Sequence, residues 1–389
     1  MSTFSSNFTL GILGGGQLGK MLLTETRKWD LKTAVLDPSA TAPCRLGSDI
    51  FEVGDLMDYE TVYSFGKKTD LLTIEIEHVN SEALEKLEQE GVLVYPPSKV
   101  LQIIQNKAKQ KLFYVDNDIP TAPFSRFAYG SEIPDSIAHG GLQYPFVWKS
   151  AQFGYDGHGV QIVRGQEDLK RLPNEECIAE ELVPIEKELA VIVARSSKGE
   201  TSTYPVVEMD FHQEANQVEY VLCPARIPQH IAENAKKISL RLVDKLEHIG
   251  LLAVEFFLTA EEGLYVNEVA PRPHNSGHFS IEASVTNQFE QHLRAILDLP
   301  LGNTESKIAA VMVNLVGEEG FSGKVYYEGM KEILEIPGVT PHIYGKKETR
   351  PFRKMGHVTV VASSIDQARS EAEKVKRTIR VISKDIQDE

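Results

Sequence analysis

Residues Thr9 to Asp37 commit the start of this chain to a parallel sheet. The apolar run Thr9-Leu-Gly-Ile-Leu13 ends in Gly14-Gly-Gly-Gln-Leu-Gly19, and Leu18, Met21 and Leu22 then recur at helical spacing. Lys32 to Leu36 reads as a second strand ending at Asp37. Strand, glycine turn, helix and strand with an acidic end form a βαβ unit, whose strands run parallel because the helix returns the chain. A further strand, Leu71 to Ile76, ends in Glu75 and Glu77, and Ser81 is placed to cap a helix over 82–90 that stops at Gly91. The first ~100 residues therefore read as a small doubly wound α/β domain.

Beyond it the pattern changes. One helix is expected from Val100 to Tyr114, with Leu101, Ile104, Ala108 and Leu112 on a single stripe. Short strands follow Pro120 and Pro123, a helix is expected over Ile231 to Ile249, and the chain closes with short strands and a charged helix, Asp366 to Arg380. At 389 residues the chain holds two or three domains of about 150 residues each. Its net charge of −15 argues against a general grip on DNA or RNA, which needs a basic face. Cys44, Cys177 and Cys223 are too few and too scattered for a disulfide framework or a zinc site, so they are expected as buried thiols. Met1 to Thr9 has no signal-peptide character, and no apolar run approaches the ~20 residues of a membrane helix, so a cytoplasmic protein without membrane contact is expected.

Four features carry chemistry. Gly14, Gly16 and Gly19 make a GxGxxG with Asp37 near ribose-binding distance; this fits a nicotinamide dinucleotide, another phosphorylated or polar ligand, or merely a tight turn. Lys149 followed by Gly154-Tyr-Asp-Gly-His-Gly159 suits a lid closing on polyphosphate, although the Walker ending is absent and a plain β-turn is the alternative. Gly250 to Leu258 and Leu264 to Pro271 read as a hairpin around Ala260-Glu-Glu-Gly263. If residues pair when their numbers sum to 523, Glu255 lies opposite Glu268, with Ala253, Phe257 and Val266 on the same face. Two opposed carboxylates repel unless a divalent cation joins them, and their hard oxygens favour Mg²⁺ or Mn²⁺; a solvated face or a register slip is the bland alternative.

The hairpin runs into Ala270-Pro-Arg-Pro-His-Asn-Ser-Gly-His278, where Arg272, His274 and Asn275 suit anion or substrate contacts better than His274 and His278 suit zinc. Finally, Lys346-Lys-Glu-Thr-Arg-Pro-Phe-Arg-Lys354 holds five cations in nine residues. Such a run is either a solvated surface or a means of drawing in an anionic substrate.

Taken together these residues resemble the ATP-grasp ligases, and within them the N5-carboxyaminoimidazole ribonucleotide synthetase family. GGGQLGKM, the GYDGxG loop, EFF…YVNEVAPRPHNSGH and RKMGH stand in that family's order over roughly residues 8 to 365. The resemblance implies a mixed α/β and α+β fold. Its parts are a doubly wound domain over 1–100, an ATP-grasp domain over 101–300 with its lid at about 120–182, and a small C-terminal domain over 301–389. It further implies ATP and Mg²⁺ (or Mn²⁺) as cofactors, with Lys107, Lys149 and the loop Gly154, Tyr155, Asp156, Gly157, His158 and Gly159 at the phosphates. Glu180, Glu181, Leu182 and Val183, in an edge strand, would line the adenine; Glu188 would hold the ribose, with His212, Asn267 and Glu268 alongside. Glu255 and Glu268 become the metal ligands, and the aminoimidazole ribonucleotide falls to Gln17, Leu18, Asp37, Glu75, Arg272, His274, Asn275, Lys347, Arg353 and Lys354. Arg272, His274, Lys354, Asp156 and Tyr155 are the implied catalytic set.

The implied reaction is carboxylation of 5-aminoimidazole ribonucleotide by bicarbonate and ATP through carboxyphosphate, in purine biosynthesis. A homodimer and release of product to a separate mutase are implied with it. A formate-dependent glycinamide ribonucleotide transformylase, a nicotinamide-dependent oxidoreductase and a catalytically silent protein of the same form are the competing readings. His158, His78 and Lys107 depart from residues common in the family at those places, and the first leaves a titratable group where a fixed charge is usual.

Overall fold

A computed structural model describes residues 3–152, 159–212 and 217–384. The βαβ start forms as expected: strands Thr9–Leu13 and Lys32–Asp37 pair in parallel across the helix Gln17–Lys28. Five parallel strands line up in the order Ile50–Val53, Lys32–Asp37, Thr9–Leu13, Leu71–Ile74, Leu93–Tyr95. The third expected strand is two residues shorter than the sequence suggested, ending at Ile74. Asn80, not Ser81, caps the next helix, because its side chain accepts from the Ala83 amide at 2.9 Å.

The single helix expected over Val100 to Tyr114 is two, Ser98–Ile104 and Lys107–Asp116. Asn106 breaks it by turning its side chain back onto the Lys109 amide at 2.9 Å, which starts a new helix in a new direction. The expected helix at 231–249 runs over Gln229–Lys245.

Two antiparallel sheets follow. The smaller orders Phe124–Phe127, Cys177–Glu181, Phe146–Ser150 and Val160–Val163, and encloses its own small core of Phe127, Phe146, Trp148 and Val163. Cys177–Glu181 is therefore an interior strand and not the edge strand expected; Leu182 and Val183 lie just past its end. The larger sheet has nine strands, with Leu264–Ala270 at one edge, then Gly250–Thr259 and Ile185–Arg195, and it continues into Ala309–Val316 and Lys354–Ala362. Strands from both sides of residue 300 thus share one sheet. Its outer edge strand Leu264–Ala270 is covered by the segment 120–121, where the Val266 amide donates to Pro120 O at 2.7 Å and the Thr121 hydroxyl donates to Val266 O at 2.8 Å.

The parallel sheet is fastened to the larger one by the helix Gln288–Ile296. Phe289, Leu293 and Ile296 join Leu10, Ile12 and Leu22 in one core. Beneath them His292 is fully buried, accepting from the Leu251 amide at Nδ1 and meeting the Thr73 hydroxyl at 3.0 Å with Nε2. Burial holds its imidazolium form off until about pH 3, far below the usual 6.5. The unfolded chain takes up that proton below pH 6.5 while the folded one does not, so this residue's contribution to stability is lost as pH falls from 6.5 toward 3. Replacing His292 with Gln should therefore shift the stability difference in the variant's favour by about 1.4 kcal/mol per pH unit between pH 6 and 4.5, read from urea unfolding. A pH-independent difference would mean that His292 is not held neutral.

Candidate active site

The helix Lys107–Asp116 carries Lys107 and Lys111 one turn apart on one face. Opposite it, the interior strand of the small sheet brings Glu180 and its neighbour strand brings Lys149. Glu180 is 2% exposed and is shared: Lys111 Nζ reaches one oxygen at 2.9 Å and Lys149 Nζ the other at 2.8 Å. Burial alone would raise its carboxyl, but the two ammonium groups outweigh burial and hold it below the usual range. Its side chain is thereby engaged by two of the chain's own lysines.

The larger sheet supplies the acids. The register of the hairpin holds at Ala253↔Ala270 and Val254↔Val269, then shifts by one, so that Phe256 faces Val266. A β-bulge opposite Glu255 causes the shift. Val266 and Val269 consequently share the same apolar core with Val254 and Phe256, although strict alternation would part them. Val266 thus lies on the face opposite Glu255, contrary to the unbulged register. The same bulge turns both Asn267 and Glu268 outward: Asn267 Oδ1 accepts from Lys149 at 3.0 Å, and Glu268 from Lys107 at 2.9 Å. Glu255 stands across from them with His274 Nε2 at 3.6 Å. His274 Nδ1 accepts from the Ser276 amide at 3.3 Å, a pattern that assigns the ring proton to Nε2.

The two acids titrate in opposite directions. Lys107 pulls Glu268 well below the usual carboxylate range, whereas burial, with Glu268 and Glu188 next to it, raises Glu255. Burial with Glu268 nearby raises Glu188 to about 7. Glu188, Glu255 and Glu268 gather hard carboxylate oxygens at this spot, with Lys107, Lys149 and Lys354 as counter-charges. A divalent cation fits that donor set, with further oxygens needed from its ligand, because the described residues hold no cluster of three or more His, Cys, Asp or Glu able to bind a metal alone.

Next to this centre lies the glycine turn. Glu75 points its carboxylate into it, accepting from the Leu18 amide at 3.2 Å, and a Cβ on Gly16 would sit 2.4 Å from Glu75 Oε1. The helix N-terminus that would bind a pyrophosphate is thus already filled by the chain's own acid, which removes the dinucleotide reading. Burial raises the Glu75 carboxyl to about 7. Asp37 is likewise occupied, with its oxygens accepting from the Gly15 and Ser39 amides at 2.7 Å each; Gln17 is half-buried at the turn, Leu18 buried. Arg272 crosses from the larger sheet to this domain and pairs with Glu77 at 2.8 Å.

Glu188 and His212 line an open cavity of about 960 Å³ that also takes in Met209, Phe211 and Arg369. Glu181 and Leu182 are exposed, and Gly159, just before the strand Val160–Val163, has φ +74°. Asn275 keeps both side-chain amide atoms buried without a protein partner among the described residues. Lys354 faces Glu255 electrostatically, Lys347 is exposed, and Arg353 donates from Nη1 to Glu348 O at 2.7 Å. Gly154, Tyr155, Asp156, Gly157 and His158 lie outside the described residues. The sequence reading passed over Lys111 and the Glu77 partner of Arg272; the i, i+4 spacing of Lys107 and Lys111 was the available signal.

Two antiparallel sheets closing on a lysine- and carboxylate-lined seam define an ATP-grasp protein. Family models agree: the ATP-grasp domain matches residues 112–289, the ribonucleotide synthetase preATP-grasp domain residues 8–105, and the phosphoribosylaminoimidazole carboxylase C-terminal domain residues 310–371. The phosphoribosylaminoimidazole carboxylase of Candida albicans is 38% identical over 93% of the chain, and the chain spans 65% of that relative's length. The N5-carboxyaminoimidazole ribonucleotide synthetase of Thermotoga maritima is 42% identical, with a TM-score of 0.88 over 97% of this chain and 100% of that one. The synthase of Aspergillus clavatus, solved with ADP and 5-aminoimidazole ribonucleotide, is 31% identical with a TM-score of 0.87 over 96% and 98%. The chain belongs to the N5-carboxyaminoimidazole ribonucleotide synthetase family of ATP-grasp ligases.

Because Glu75 fills the glycine turn, NADH should show no saturable binding in a fluorescence titration. Gly16→Ala should lower the unfolding free energy by about 1–3 kcal/mol, since the new methyl overlaps Glu75. Saturable NADH binding by the unaltered chain would contradict this account of the turn.

Proposed function

We propose that this chain carboxylates 5-aminoimidazole ribonucleotide with bicarbonate and ATP, giving N5-carboxyaminoimidazole ribonucleotide, ADP and phosphate. The observation that carries the reading is the convergence of Lys107, Lys149, Asn267, Glu268 and Glu255 at one seam, with Arg272 and His274 directly beside it.

The nucleotide's phosphates lie against Lys107 and Lys149, whose charge suits a triphosphate. Glu188, in the cavity wall, takes the ribose. Glu255 and Glu268 would hold Mg²⁺, which when bound supplies charge neutralisation for the phosphates. A bicarbonate oxygen attacks the γ-phosphorus, the bond to the β-phosphate oxygen breaks, and carboxyphosphate and ADP result. The amine of the ribonucleotide then attacks the carboxyl carbon, directly or after CO₂ release, and phosphate leaves. His274, with its proton on Nε2, is a donor toward anionic oxygen and not a base at that atom. Arg272, Lys354 and the unpartnered Asn275 amide complete an anion site for the carboxyl group. Glu75, raised to about 7, is suited to receive the proton that the amine gives up. A homodimer, hand-over of the product to a separate mutase and a reducing cytoplasm, in keeping with three buried thiols, complete the reading.

ADP formation should require bicarbonate and 5-aminoimidazole ribonucleotide together. Glu268→Gln should lower kcat by about 100-fold or more with thermal unfolding close to wild type. Equal turnover with glycinamide ribonucleotide and formate would instead identify a transformylase.

A further inference from the structure

Lys111 belongs to the seam's charged network but has no part in the proposed chemistry. It is 2% exposed, and a buried ammonium costs several kcal/mol unless it is well paired. Its partners are Glu180 Oε1 at 2.9 Å and the Thr121 hydroxyl at 2.6 Å, with the Tyr114 ring at 5.9 Å. Glu180 is already paired with Lys149 at 2.8 Å, so two ammonium groups share a single carboxylate. Without Lys111, Glu180 and Lys149 would form a neutral pair, and Lys149 would have little charge left for a ligand. With it, the trio carries one net positive charge. Lys149 is the member that reaches out of the buried trio, to Asn267 at 3.0 Å in the bulge.

The second anchor of Lys111 reaches the same bulge. Thr121 accepts from Lys111 and donates to Val266 O, the residue before Asn267 and Glu268. One buried side chain therefore balances the charge of Lys149 and ties down the strand that presents both outward-turned ligands. The geometry points to Lys111 as a positioning residue for the triphosphate: by taking half of the Glu180 carboxylate, it leaves Lys149 charged and aimed at an anionic ligand.

This rests on the nucleotide reading given above, and the test separates the two. Lys111→Met should raise the KM for ATP about tenfold, the scale of one charge-assisted contact, while the KM for 5-aminoimidazole ribonucleotide stays within about twofold. The double variant K111M/E180Q removes both the cation and the acid it offsets, and should bring the KM for ATP back to within about threefold of wild type. A purely structural lysine would give no such rescue. An unchanged KM in K111M, or a double variant no better than the single one, overturns the assignment. If K111M does not fold, the double variant, in which Lys149 keeps its charge and its contact with Asn267, decides alone: a KM for ATP raised tenfold or more overturns the assignment. Calorimetric Kd values for a non-hydrolysable ATP analogue give the same comparison if the unaltered chain fails to turn over bicarbonate and the ribonucleotide. That failure would count against the reaction and leave the role of Lys111 to the Kd values.

Discussion

The site depends on one irregularity, the bulge opposite Glu255. In a regular antiparallel pair, neighbouring residues point to opposite faces, and Asn267 and Glu268 could not both meet the lysines. The extra residue lets Val266 and Val269 stay in the core while the two between them turn outward together. Burial of two valines on one side thus holds two ligands in place on the other. The apolar core is in this sense what aims the site.

Around that bulge the charges are arranged in overlapping sets. Lys107 meets Glu268, Lys149 and Lys111 share Glu180, and Arg272 spans to Glu77, just past the parallel-sheet strand Leu71–Ile74. Lys107 and Lys111 come from a helix, Lys149 and Glu180 from the small sheet, and Glu268 from the larger one. The seam is therefore held by ion pairs between elements that also close over it, and movement of the small sheet would alter the pairing directly. At the glycine turn the balance is different: Glu75 satisfies the helix N-terminus internally, so a motif often read as a phosphate cradle presents a carboxylate instead.

Much of this was legible beforehand. The βαβ start, the hairpin with its two glutamates and the lysine preceding the glycine loop all follow from local pattern and formed where expected, the hairpin with a one-residue register shift past Val254. The errors were also local in origin. Asn106 was read as a position inside one long helix because the apolar stripe continues past it, whereas its side chain caps a new helix. Lys111 was passed over because a lysine on a helix is ordinarily solvated, and only a carboxylate 69 positions further along the chain makes its burial tolerable.

By itself the sequence determined which chemical groups were present and the period at which each segment would fold: a parallel start, a paired hairpin, amphipathic helices. Those are set within a few residues, by side-chain sterics and apolar spacing. Only the tertiary structure decided which charges meet, because the partners of Lys111, Lys149, Glu268 and Arg272 come from other elements. It also decided the bulge, since a one-residue shift leaves composition and alternation almost unaltered and is chosen by how the valines fit the core.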